Sequence, residues 1–224
     1  MTNPFQIAWW WALDYAYAAL WQTRAVVDRT DPERYLSGSA TPVVIVPGVY
    51  ETWRFMQPLI QHIHGEGHPV HVISLLQYNA TPVHEAALLV GDYLKRNDLH
   101  DVVLVAHSKG GLIGKYVMTF GSEASRVRAM LAIAAPFGGS RYARWFLGPS
   151  VRMFRPEDQT IIALHARSDA DARIVSVYGR FDPHIPEGSM LLGAKNVELD
   201  TGGHFRVLAH PRVMAELAAL ATQH

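Results

Sequence analysis

From residue 43 onward the chain alternates between two patterns. Short, continuous apolar or β-type runs occupy Val43–Val46, Val70–Leu75, Val102–Ala106, Ala129–Ala134, Ile174–Tyr178 and Asn196–Leu199. Most lack the in–out alternation of a sheet with one wet face, so they predict strands covered on both sides, as in a parallel sheet. Between them lie segments of helical spacing. Thr52–His64 carries Trp53, Met56, Leu59, Ile60 and Ile63 on one stripe. Thr81–Arg96 opens with Thr-Pro, which places Pro82 at the first helical position. Leu112–Phe120 and Pro211–Thr222 complete the helical set. Pro47-Gly48 and Pro136 end the first and fourth strands. This rhythm predicts an α/β fold, a mostly parallel central sheet with helices on both faces. Residues 137–171 break the rhythm and read as a small cap-like insertion. In such sheets, chemistry gathers in loops beyond the carboxyl ends of the strands.

The N-terminal segment has a different pattern. Phe5–Trp21 is almost wholly apolar, contains four tryptophans and has Asp14 at its middle. A carboxylate at mid-membrane costs about 2.5 to 3.5 kcal/mol, and Trp and Tyr prefer the headgroup boundary to the bilayer centre. Three placements fit the pattern: a helix packed on its own domain or on a second copy, an interfacial membrane helix, or a span. Ser37–Pro42 is a short polar linker. Residues 1–36 therefore read as an apolar helix with its linker, and 37–224 as the main domain. The segment lacks the basic n-region and the small-residue cleavage site expected of a signal peptide. The expected location is cytoplasmic, with peripheral membrane contact through this helix and a homodimer both left open.

Composition narrows the chemistry. Lys plus Arg and Asp plus Glu are 20 each in 224 residues, which gives no electrostatic reason to expect nucleic acid as a partner. Apolar residues make up 49% of the chain, enough for a packed core. There is no cysteine, so disulfides, thiolate metal sites and cysteine nucleophiles are excluded. His62, His64, His68 and His71 have a spacing that invites a metal reading. However, His62 and His64 would face differently on a helix, and no metal site is expected. Arg141, Arg144, Arg152 and Arg155, beside Trp145, Phe146 and Phe154, read as a solvated surface or as one that meets anionic lipid.

The sharpest signal is Ala106-His107-Ser108-Lys109-Gly110, between an apolar strand and a helix start. A serine flanked by small residues at a strand-to-helix turn is the nucleophile-elbow pattern G-x-S-x-G, with Ala106 in place of the first glycine. The turn strains the serine, and side chains two positions away would strike the strand or helix. A serine hydroxyl needs a base, and the base needs a third group to fix its tautomer. Asp182 and His204 each follow a strand, in the chain order Ser, Asp, His that the elbow architecture uses. Asp200 and Asp171 are rival acids and His210 is a rival base. His107 is expected to point the other way and pack beneath the sheet. Two backbone N–H groups should meet the developing oxyanion, from Lys109 and from the loop after the first strand. Pro47 has no N–H, so Val49 is the expected second donor, with Tyr50 after it.

Val-Pro-Gly-Val after the first strand, the elbow, Ala135-Pro136-Phe137-Gly138-Gly139-Ser140, Tyr-Gly-Arg-Phe-Asp and Gly-Gly-His-Phe together resemble the α/β-hydrolase superfamily, small bacterial lipases and esterases above all. The resemblance covers about residues 41–222. It implies a triad of Ser108, Asp182 and His204, ester hydrolysis through an acyl-enzyme, an ester or lipid substrate and no cofactor. Lys109 departs from the Met or Gln more usual there. It is expected to place a long cation at the oxyanion corner, which would favour an anionic headgroup. Tyr50, Tyr142 and Trp145 are the candidate substrate-binding residues. An acyltransferase with the same triad, and a non-catalytic lipid-binding module, are the alternatives.

Overall fold

The computed structural model describes residues 3–145 and 148–222. Six strands, β1 (Val43–Val46), β2 (Val70–Val72), β3 (Val102–His107), β4 (Val127–Ile133), β5 (Ile174–Phe181) and β6 (Lys195–Gly202), form one parallel sheet in the order β2-β1-β3-β4-β5-β6. The chain crosses from β2, on one side of β1, to β3 on the other. That reversal opens a crevice past the carboxyl ends of β1 and β3, where open α/β sheets bind ligands.

Alternate residues of the strands face two separate cores. Val44, Val46, Leu104, Ala106, Met130 and Ala132 point to one face, which α3 (Val83–Arg96), α4 (Lys109–Phe120) and α6 (Gln159–His165) cover. Val43, Ile45, Val103, Val105, Leu131 and Ile133 point to the other, against α2 (Gln57–Gly65) and α7 (Pro211–Thr222). Apolar residues on both faces explain why these strands read as unbroken runs.

Several predicted boundaries shift. The second strand stops at Val72, and Ser74–Leu76 forms a 3-10 turn that leaves Leu75 exposed. Trp53–Met56 is also 3-10, and α2 begins only at Gln57, with Pro58 in its first turn. Pro82 caps α3 from outside rather than opening it, its carbonyl accepting the Ala86 N–H at 3.0 Å. Within the stretch read as an insertion lie a 3-10 turn (Arg141–Trp145), the short helix α5 (Pro149–Arg152) and α6, the last of them packed on the sheet. Phe146 lies outside the described residues.

The N-terminal helix α1 (Pro4–Val27) is longer than predicted, capped by the Asn3 side chain. It packs on the domain through Trp10, Asp14, Tyr17 and Trp21. Among the described residues no helix is long and apolar enough to cross a membrane.

Candidate active site

The site begins at the turn from β3 into α4. Ser108 has φ 51° and ψ −118°, a conformation L residues rarely adopt. Its N–H donates to Ile133 O on β4 at 2.9 Å, and its carbonyl accepts from Gly111 N at 3.0 Å. A Cβ on Gly110 would overlap the Val46 carbonyl of β1, which is why the elbow needs glycine there.

Asp182 directly follows β5, and His204 lies just past β6. The structure brings both to Ser108. His204 Nε2 is 3.0 Å from Ser108 Oγ, and His204 Nδ1 is 2.8 Å from Asp182 Oδ2. The other carboxylate oxygen of Asp182 accepts the His184 and Ile185 N–H groups at 2.7 and 3.0 Å, which fixes its rotamer. All three side chains are buried. Burial pushes the Asp182 carboxyl up, but the adjoining His204 imidazole and the His184 N–H outweigh it and hold the carboxyl below its ordinary value. Burial likewise opposes charge on His204. The Asp182 carboxylate, with Glu51 and Asp14 behind it, overcomes that and raises the imidazole above its ordinary value.

The rival acids and base lie elsewhere. Asp171, at the amino end of β5, pairs with buried Lys115 at 2.6 Å. Asp200 is exposed and pairs with Arg180 at 3.0 Å. His210 accepts the Arg212 N–H at 3.2 Å. The histidines with metal-like spacing turn to different neighbours: His62 to Glu66, His64 to Ser37, His68 to Thr41 O and His71 to Tyr93.

The loop after β1 is held from two sides. Glu51 Oε2 accepts the Gly48 N–H at 2.8 Å, and Asn79 Nδ2 donates to Pro47 O at 2.6 Å. The Val49 and Lys109 N–H groups have no protein acceptor among the described residues. Val49 and Ser108 line the same cleft, of about 760 Å³. Its walls are mostly apolar, with Phe55, Pro136, Val151, Phe154 and Ile185 among them. Tyr50, Tyr142 and Trp145 line it too, and Trp145 stands at its rim, 85% exposed. Of the cap arginines, Arg144 pairs with Glu157, and Arg141 with Glu187 at 3.7 Å.

Lys109 corrects one expectation. Its side chain leaves the oxyanion corner and is fully buried. Nζ donates to Asn79 O at 2.7 Å, to Asn79 Oδ1 at 3.2 Å and to Thr81 O. The cation therefore gives no reason to expect an anionic headgroup. Burial pushes its ammonium down to about 8. His107, which does point away from the cleft, stacks near Phe55 and is more than filler. Its Nε2–H donates to His204 O at 3.0 Å, and its Nδ1 meets Glu51 Oε2 at 2.8 Å.

Sequence reasoning missed four contributors. Glu51 ties the loop after β1 to His107. Asn79, in a left-handed conformation at φ 49°, links that loop to Lys109. His184 lies beside His204 with ring centres 4.7 Å apart, its Nε2 3.1 Å from the Tyr15 hydroxyl. Burial, reinforced by the His204 charge, pushes the His184 imidazole down to about 4, so it is neutral at pH 7. The fourth is Asp14. It is fully buried, and its carboxylate accepts the His204, Phe205 and Arg206 N–H groups at 2.9, 2.8 and 2.8 Å. The Gly202-Gly203 pair was the available signal. A Cβ on Gly202 would come within 2.5 Å of the Trp10 ring, and one on Gly203 within 2.5 Å of Asp14 Oδ1. Those glycines make room for α1.

No sequence-family model and no curated sequence matches the chain. Solved structures do. A monoacylglycerol lipase of Paleococcus ferrophilus superposes with TM-score 0.59 at 16% identity, over 83% of this chain and 96% of that one. The mature form of a Bacillus licheniformis lipase gives 0.60 at 16% identity, over 87% and 95%. A protein of Mycobacterium tuberculosis described as a putative non-heme bromoperoxidase gives 0.60 at 13% identity, over 82% and 92%. One architecture thus carries differently named activities, and the activity must be argued from the site. With its parallel sheet, its elbow serine and these neighbours, the chain has the α/β-hydrolase fold.

Proposed function

We propose that the protein is a serine hydrolase that cleaves carboxylic esters, in the manner of a lipase or esterase, through an acyl-enzyme. The observation that carries this reading is the continuous hydrogen-bonded line from Ser108 Oγ through His204 to Asp182, at 3.0 and 2.8 Å, at the wall of an apolar cleft.

The chemistry follows from the roles. His204 Nε2 takes the Ser108 proton as Oγ attacks the ester carbonyl, forming a C–O bond and moving the carbonyl π pair onto oxygen. The Val49 and Lys109 N–H groups receive that oxyanion. The pair returns as the bond to the alkoxy group breaks, and the imidazolium protonates the departing alcohol. Water then repeats the sequence against the acyl-enzyme, releasing the acid and restoring Ser108. Asp182 keeps Nδ1–H of His204 pointed inward and stabilises the imidazolium without taking its proton. The apolar walls suit an acyl chain, so the substrate class is an ester with an apolar acyl part.

The outer side of the protein supports a peripheral lipid contact as well. Phe5, Trp9 and Trp11 on α1 are all exposed, as is Trp145 at the cleft rim. Aromatic rings of this kind favour the membrane–water boundary.

Turnover of a series of nitrophenyl esters by wild type and Ser108→Ala tests the reading. A fall on the order of 10⁶-fold is expected for the variant. Wild-type rates in a purified Ser108→Ala protein would refute it. Product analysis with a competing alcohol separates hydrolysis from acyl transfer.

A further inference from the structure

The N-terminal helix contributes directly to the candidate site. Tyr15, Ala18, Ala19 and Gln22 of α1 form one wall of the cleft. Gln22 Nε2 donates to Tyr50 O at 3.1 Å, fastening the loop after β1. On the same helix Asp14 receives three successive backbone N–H groups that begin at the candidate base.

We infer that Asp14 is a positioning residue for His204, so that α1 is part of the active site rather than a detachable anchor. This rests on the serine-hydrolase reading above. The His204 peptide is gripped at both ends. Its N–H donates to Asp14 Oδ2, and its carbonyl accepts the Nε2–H of His107. Phe205 N and Arg206 N converge on Asp14 Oδ1 as the chain enters the 3-10 turn Arg206–Ala209, where no backbone acceptor remains for them. Gly203, at φ 128°, has no Cβ to hold the carboxylate off. With the backbone fixed on both sides, the imidazole has little freedom beyond its own torsions. Misplacing a catalytic base by a fraction of an ångström costs rate rather than affinity, because the error matters in the transition state. Asp14 is also one of the charges that favour the imidazolium. The groups facing His204 are Asp182 and His184 from the loop after β5, Glu51 from the loop after β1, His107 at the end of β3, and Asp14 from α1.

Two measurements test this. In wild-type protein, native-state hydrogen exchange is expected to show the His204, Phe205 and Arg206 amides protected, although all three lie outside the sheet. Rapid exchange at these three would overturn the inference without any variant. Asp14→Asn keeps the shape but turns one accepting oxygen into a donor that faces an N–H. Its kcat is expected to fall about 10- to 100-fold with KM within threefold. The acid limb of kcat/KM should move to lower pH, because a negative charge beside the imidazole has gone. A merely structural loss would lower the amount of folded enzyme and leave that limb in place. A folded Asp14→Asn protein with wild-type kcat and an unmoved limb overturns the inference. Fluorophosphonate labelling separates the two claims. If wild-type Ser108 is not labelled, the hydrolase reading fails. If it is labelled and Asp14→Asn turns over like wild type, only this inference fails.

Discussion

Replacing Lys109 with methionine removes a cation that the fold has buried to brace the loop after β1. All three Nζ protons are spent, two on Asn79 and one on Thr81. Thr81 is exposed, so water can replace its lost donor, whereas Asn79 is fully buried. Stranding two buried acceptors costs about 1 to 3 kcal/mol each. Against that stands the strain of holding the ammonium itself. Its fall from 10.5 to about 8 is caused mainly by burial and corresponds to about 3 kcal/mol against the charged form. Methionine fills a similar volume without that penalty. The two effects partly offset, and the expected net change runs from a gain of about 1 kcal/mol to a loss of about 3 kcal/mol. Activity should suffer more. Asn79, freed from Lys109, no longer holds Pro47 O firmly, and the Val49 N–H next in the loop drifts. Loss of a whole oxyanion donor costs about 2.7 to 4 kcal/mol, so partial misplacement should lower kcat/KM about 10- to 100-fold. Urea unfolding and ester turnover measure the two quantities. The pH dependence has a definite sign. A lysine whose folded value lies below its unfolded value adds stability that is complete above about 10.5 and lost as pH falls through about 8. Wild type should therefore gain on Lys109→Met between pH 8 and 10.5. A folded Lys109→Met enzyme with wild-type kcat/KM would refute the bracing argument, and a wild-type advantage that shrinks over that pH window would refute the assignment of the offset.

The strain at Ser108 predicts that Ser108→Gly is more stable than Ser108→Ala by about 1 kcal/mol, both having lost the hydroxyl. Thermal unfolding should separate them by about 2 to 4 °C, and a glycine variant that melts first would contradict the strain. The raised imidazole of His204 places the acid limb of kcat/KM above pH 6.5, since the base must be neutral to take the serine proton. Asp182→Asn should lower kcat about 10⁴-fold, as expected when the tautomer is no longer fixed, and a loss under tenfold would count against its role. Trp9→Ala with Trp11→Ala should reduce cofloatation with liposomes while leaving nitrophenyl ester turnover unchanged; equal cofloatation would remove the lipid contact from the account.

Much of the fold was legible because the central strands β1, β3 and β4 are buried on both faces. A run such as Val102 to Ala106 has few other places to go, and its neighbours follow the same rule. The elbow was legible because backbone strain and steric closeness leave a mark on residue choice at Gly110. What the sequence hid are contacts between distant segments. Asp14 and His204 are separated by 190 positions. A lone carboxylate in an aromatic helix reads as a cost until the N–H groups that meet it are in view. Lys109 was misjudged for the same reason: a cation is expected in water unless its acceptors are known, and those belong to Asn79 and Thr81. Glu51 and His107 sit in ordinary local patterns, and only the closed line Gly48–Glu51–His107–His204 gives them meaning. Helix starts shifted where proline admits more than one position, as at Pro58 and Pro82.

In the proposed reaction Ser108 carries the acyl group in a covalent intermediate. Intact-mass analysis of the protein quenched within the first turnovers of a slow nitrophenyl ester, followed by peptide mapping, reads that intermediate directly. A mass increase equal to one acyl group is expected, located on Ser108 and absent from Ser108→Ala. Ester turnover by a protein that never gains that mass, or an acyl group found on another residue, would contradict it.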